Sequence, residues 1–130
     1  MTERIVVIGA GLAAATVVGT LREEGYPGAI TLVGDEPYRP YERPGLSKEV
    51  LQGGAEVDSL FVHEEGFYEA SGIETRFGDA ATAIDRLGRR VALASGDDLA
   101  YDALVLATGA RARTVDLPGA DLAGVRTLRT

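Results

Sequence analysis

The chain has 130 residues, 45% of them apolar and 6% aromatic, with no cysteine and a formal net charge of −7. That length supports one buried core and a single globular domain; the missing cysteines exclude disulfides, thiolate metal sites and a redox dithiol within the chain, and the negative charge disfavours a nucleic-acid phosphate footprint. No apolar stretch approaches the ~18 residues of a membrane span, and the opening Met1-Thr2-Glu3-Arg4 lacks the pattern of a signal peptide, so a cytoplasmic protein without membrane or nucleic-acid partners is expected.

The first predicted element is a short β-branched strand over residues 5–8, running into Gly9-Ala10-Gly11-Leu12-Ala13-Ala14. A helix follows over residues 15–24. Ala14, Val17, Val18 and Leu21 carry its apolar period and Gly25 suits its C-terminal cap. Residues 30–33 (ITLV) read as a second strand, which completes a βαβ unit of about 30 residues. From residue 34 to 44 the chain is turn-like, because Pro37, Pro40 and Pro44 restrict the backbone. Ser47 is placed to cap a short helix over residues 48–52, and a weak helix is expected over 62–70.

Four short strands are predicted next, over residues 73–77, 80–84, 90–93 and 99–101, separated by glycine-containing turns, and their spacing suggests a small antiparallel meander. Residues 103–107 (ALVLA) form a continuous apolar run, the sign of a strand covered on both faces, and the chain then becomes loop-rich. Asp85, Arg86 and Arg89 read as turn residues. The lone histidine, His63, lies in a polar run and reads as a surface residue rather than a metal ligand or a catalytic base. No metal site is expected.

The stretch from Val6 to Ala15 fits G-x-G-x-x-G/A, with Gly9 and Gly11 in the glycine places and Ala14 in the third. Gly9 suits a tight strand-to-helix turn, Gly11 lets a pyrophosphate approach the backbone, and Ala14 keeps helix and strand close. The unpaired N–H groups of the helix start, Leu12 and Ala13 among them, then face the phosphates. An acid answers the motif after the second strand: Asp35 and Glu36 lie 24 and 25 residues beyond Gly11, where a carboxylate accepts hydrogen bonds from an adenosine ribose. The pattern points to a dinucleotide, nicotinamide or flavin.

Together with LVGDEPYRPYERPGLSK and YDALVLATGARAR, this opening resembles the FAD-binding region of the ferredoxin reductase-like flavoproteins, the NAD(P)H-dependent reductases of rubredoxin, putidaredoxin and oxygenase ferredoxins, related to apoptosis-inducing factor. The resemblance covers essentially the whole chain, and R-P-x-L-S-K is its most specific element. It implies an α/β fold: a Rossmann-like FAD-binding domain with a central parallel sheet and a small antiparallel β-meander crossover.

Carried over by residue, the resemblance implies that residues 9–14 hold the FAD pyrophosphate and that Asp35 or Glu36 holds the ribose. Arg43 approaches the phosphates, and Lys48 reaches the flavin ring as the catalytic cation. Ala81 meets adenine through its backbone, Thr108, Gly109 and Arg111 close over the cofactor, and Arg129 adds a flavin contact. Gly45 departs from the family's second proline, and Ala112 and Arg113 stand where many relatives have a proline and a basic residue.

The same resemblance implies that residues 1–130 are the N-terminal portion of an FAD-binding domain, with the NAD(P)H-binding and C-terminal domains outside this chain. The intact protein is then expected to pass electrons from NAD(P)H through FAD to a ferredoxin or another iron–sulfur acceptor, the chain alone being inactive. Its exposed sheet edge favours homo-oligomers. The reading from a different class is a stand-alone dinucleotide-binding or interaction module without catalysis. A nitrite reductase flavoprotein subunit or an apoptosis-inducing-factor-like oxidoreductase shares the same motifs.

Overall fold

The computed structural model describes residues 3–129. Four parallel strands form the central sheet in the order β3-β2-β1-β7: β1 (Arg4–Ile8), β2 (Ala29–Gly34), β3 (Ile73–Phe77) and β7 (Ala103–Leu106). Helix α1 (Leu12–Glu23) crosses from β1 to β2, and the single turn α2 (Phe67–Ala70) leads into β3. Strands β4 (Ala81–Asp85), β5 (Arg90–Leu93) and β6 (Asp98–Ala100) make a separate antiparallel sheet.

The apolar runs of β1 and β2 are continuous because both faces of these strands are covered. Val7, Ile30 and Leu32 pack with Ala14 and Val18 of α1, with Tyr68 of α2 and with Ile73. Val6, Ile8 and Val33 point the other way and pack with Val91, Leu93 and Tyr101 of the meander layer. The result is three layers, helix on sheet on sheet. Each fully buried aliphatic side chain, such as Leu32 at 0% exposure, contributes about 1.5–3 kcal/mol of transfer free energy.

Arg22 holds the end of α1 in place. Its Nε and two terminal nitrogens donate to the carbonyls of Ser71 (2.8 Å), Tyr26 (2.6 Å), Gly28 (2.9 Å) and Gly72 (2.9 Å), which ties the α1–β2 turn to the α2–β3 turn. A methionine keeps the aliphatic stem and leaves four carbonyls without this donor. Arg22→Met is therefore expected to lower stability by about 2 kcal/mol, read as a lower urea midpoint with an unchanged slope.

Several expectations are corrected. Residues 73–77 belong to the parallel sheet, paired with β2, and not to the meander. Their alternating pattern specified a strand but not its partner. Ser47 caps nothing: a 3₁₀ turn over Arg43–Gly45 begins one residue before the proline, and a π-type turn over Leu46–Val50 follows without a side-chain cap. Pro44 lies in the first helical positions, where its missing N–H costs nothing. The expected helix over 62–70 shrinks to α2, since Gly66 takes φ +83° immediately before it.

Strand β7 is not covered on both faces among the described residues: Leu104 and Val105 are half-buried against the two cores, but Leu106 is 62% exposed. His63 is not a free surface residue either. Its ring stacks on Phe67 at 3.9 Å between centroids, and its Nε2 is 3.2 Å from the Ala15 carbonyl oxygen of α1.

Candidate functional site

The carboxyl ends of β1, β2 and β7 converge on one side of the sheet, where the chain leaves β1 for one neighbour and later returns on its other side. Such a switch point is where open α/β sheets form ligand crevices. A cleft of about 560 Å³ lies there, within the range of small-molecule sites. It is walled by Gly9 after β1, by Asp35 and Glu36 after β2, by Ala81 of the meander, and by Thr108 to Arg111 after β7, with Arg43 and Arg129 closing its rim. An irregularity in the β4–β5 pairing between Ala81 and Ala83 accompanies the place where the meander reaches this wall.

The glycine turn divides its duties. Gly9 has φ +113°, and its N–H donates to the Val33 carbonyl at 2.8 Å. A Cβ there would lie 2.1 Å from the Ala107 carbonyl oxygen, so the protein's own packing demands glycine. Gly11 is different: it takes an ordinary extended conformation, φ −101°, and a Cβ on it would meet nothing within 4 Å. Nothing in the fold asks for glycine at that point, which leaves room beside the backbone for a group from outside.

Gly11 is also the N-cap of α1, without a side-chain cap and without an acid in the first turn, so the positive end of the helix dipole is uncompensated. Leu12 and Ala13 are exposed at this start, while Ala14 is fully buried against the strands, the place its small side chain permits. Although the chain is acidic as a whole, three arginines (Arg43, Arg111, Arg129) line the cleft against two acids.

The two acids differ in their surroundings. Glu36 accepts from Tyr41 Oη at 2.6 Å through Oε2 and from the Arg43 guanidinium through Oε1. Burial pushes its carboxyl up, but the Tyr41 and Arg43 hydrogen bonds outweigh that and hold it below the usual 4.5. Burial, reinforced by the Glu36 carboxylate, pushes the Tyr41 phenol up to about 12. Asp35 is exposed on the same wall.

The sign of the linkage follows. A carboxylate held below its unfolded value stabilises the fold above that value, and the contribution is lost as pH falls through the folded one. Urea unfolding followed from about pH 6 to about pH 3 is expected to show a steeper loss in the wild type than in Glu36→Gln, which cannot titrate there.

Of the residues expected at the site, Gly9, Asp35, Glu36, Arg43, Ala81, Thr108, Gly109, Arg111 and Arg129 line the main cleft, whereas Gly11, Leu12, Ala13 and Ala14 form the helix start beside it. Lys48 does not line it. It borders a hollow of about 310 Å³ with Glu42, Glu49, Ser59 and Leu60. A third hollow, of about 280 Å³, shares Arg43 and Arg129 with the main cleft and Pro44 with the Lys48 hollow, so the three form a series along the proline loop. Gly45, the departure from the double proline, is buried, and a Cβ there would lie 2.3 Å from Leu60 Cδ2.

Tyr41 stands in the proline loop that carries the most specific motif of the resemblance. The structure makes it the bridge between Glu36 and Arg43, anchored by backbone pairing with Phe61. Sequence reasoning missed Arg22 altogether. Two of its four acceptors are carbonyls 49 and 50 residues away, and no local pattern marks such a partnership.

Comparison with known proteins agrees with this geometry. The chain is 44% identical over 128 residues to a probable ferredoxin reductase of Castellaniella defragrans (98% of this chain, 31% of the relative). It is 43% identical over 130 residues to the ferredoxin–NAD(+) reductase subunit of the benzene 1,2-dioxygenase system of Pseudomonas putida (100% and 32%). Among solved structures, a ferredoxin reductase from Rhodopseudomonas palustris superposes with a TM-score of 0.91 at 44% identity, covering 99% of this chain and 32% of that one. Putidaredoxin reductase in its covalent complex with putidaredoxin gives 0.84 at 41% (88% and 27%). The chain thus spans about a third of the length of the curated relatives it matches. With the family described as pyridine nucleotide-disulphide oxidoreductase matching residues 3–130, and with the parallel sheet and glycine turn already in place, the chain belongs to that family.

Proposed function

We propose that this chain is the N-terminal portion of the FAD-binding domain of an NAD(P)H-dependent reductase that delivers electrons to a ferredoxin- or rubredoxin-type iron–sulfur protein. The observation that carries the reading is Gly11: a glycine the fold itself does not need, at an uncapped helix start, opening beside a cleft with three arginines. That arrangement suits a diphosphate flanked by an adenosine on one side and an extended polar chain on the other. The names of the relatives, ferredoxin and rubredoxin reductases, support the acceptor class.

The residues present fit FAD. Backbone N–H groups at Gly11 to Ala13 face the diphosphate, and Asp35 is the acid available to the ribose, since both carboxylate oxygens of Glu36 already accept hydrogen bonds. Ala81 lines the adenine end, and Thr108, Gly109, Arg111 and Arg129 close the opposite wall. FAD, when bound, supplies the exchange between a two-electron nicotinamide and one-electron carriers. The series of hollows leads past Arg43 and Pro44 toward Lys48, whose ammonium serves as the cation at the redox end. The intact protein acts with NAD(P)H as co-substrate in the cytoplasm, where that nucleotide is supplied, and self-association through the β7 edge belongs to the same proposal.

Titrating the purified chain with FAD tests this directly. Binding is expected to shift and sharpen the visible flavin bands, and a spectrum identical to free FAD at saturating protein would reject the reading. Lys48→Ala is expected to weaken the binding about fivefold with the far-UV spectrum unchanged. An unaltered affinity would remove Lys48 from contact with the flavin.

A further inference from the structure

Arg43 is the cleft arginine that other side chains hold. A guanidinium has five N–H donors in a planar fork. Here one terminal nitrogen donates to Tyr41 Oη at 3.0 Å and to the Arg129 carbonyl at 3.3 Å, and the other donates to Glu36 Oε1. Tyr41 Oη in turn donates to Glu36 Oε2 at 2.6 Å, which closes a ring of three side chains. Arg43 and Glu36 are only 25% and 23% exposed, and Tyr41 is pinned through its backbone to Phe61. Three of the five donors are thereby committed. The Nε–H and one terminal N–H remain. Arg111 and Arg129, on the same cleft, are exposed.

We infer that Glu36 and Tyr41 are positioning residues for Arg43, holding its guanidinium at the junction of the main cleft and the neighbouring hollow so that its two uncommitted donors face an anionic ligand. The acid pair is then split in its work: Asp35 faces the ligand and Glu36 faces the arginine. A long cation already fixed by two partners gives up little rotamer freedom when a phosphate arrives, and so binds it more tightly than a free one. The hold on the Arg129 carbonyl extends the same clamp to the segment closing the rim. This inference rests on the flavin reading for the identity of the ligand, not for the clamp.

The test is a double-mutant cycle with FAD as the probe, together with a ligand-free measurement. Tyr41→Phe is expected to weaken FAD binding about fivefold to tenfold when Arg43 is present, and by less than about twofold in an Arg43→Ala background. Equal factors in both backgrounds would mean that Tyr41 acts as general loop glue and would overturn the proposal. Without ligand, the terminal Nη–H resonances of Arg43 that donate to Tyr41 and Glu36 are expected to be resolved and slow to exchange in the wild type, and broadened in both Tyr41→Phe and Glu36→Gln; unchanged resonances in these variants also overturn it. Glu36→Gln decides the matter if Tyr41→Phe does not fold. A wild type without affinity for FAD would reject the flavin reading, while the resonances would still decide the clamp.

Discussion

Gly9→Ala is expected to unfold the chain or force β7 out of register, with a loss above about 4 kcal/mol. Two costs combine. The φ of +113° at Gly9 lies where a side chain is strained by about 1–3 kcal/mol. The added methyl would also meet the Ala107 carbonyl oxygen at 2.1 Å, its carbon at 2.5 Å and the Thr108 nitrogen at 3.0 Å. All three are backbone atoms, and Ala107 is held by its own N–H bond to the Ile8 carbonyl at 2.7 Å, so no flexible neighbour can give way. Against the ~5–15 kcal/mol of an ordinary domain this is a large fraction. Urea denaturation followed by circular dichroism measures it, and a midpoint within error of the wild type would contradict the account of the turn.

Gly11→Val should do the reverse. Its backbone is ordinary extended chain and the new side chain would enter open space, so stability is expected to stay within about 1 kcal/mol, a weaker helix cap being offset by a stiffer unfolded chain. FAD affinity, however, is expected to fall by about 100-fold, because the valine fills the room the diphosphate needs and displaces it from the helix N–H groups. The two glycines, two positions apart, thus separate folding from binding. A Gly11→Val protein that binds FAD like the wild type would show that the cradle is not where the dinucleotide lies.

Much of the architecture was legible in the chain because it depends on local chemistry. Ile5 to Ile8 and Ile30 to Val33 are apolar at every position or nearly so, the pattern of a strand buried on both faces, and here both faces are covered. The spacing of Gly9, Gly11 and Ala14 between a strand and a helical period places the turn, and the acids after β2 fall on the cleft wall where that spacing puts them. The proline loop was harder: its three prolines argue for turns, yet Pro44 sits in the first positions of a helical turn, since the position in the turn and not the residue type governs the effect.

What the amino-acid order settled, then, was backbone preference: where the chain extends, where it coils, and which turn can approach a phosphate. Only the folded chain could settle partnership. Strand β3 pairs with β2 because that edge was open, Arg22 finds its carbonyls across two distant turns, His63 docks on α1, and Glu36 is committed to Arg43 while its neighbour Asp35 is not. Such choices depend on packing between segments far apart in sequence, and a period of two or of 3.6 residues carries no information about which distant surface will lie opposite.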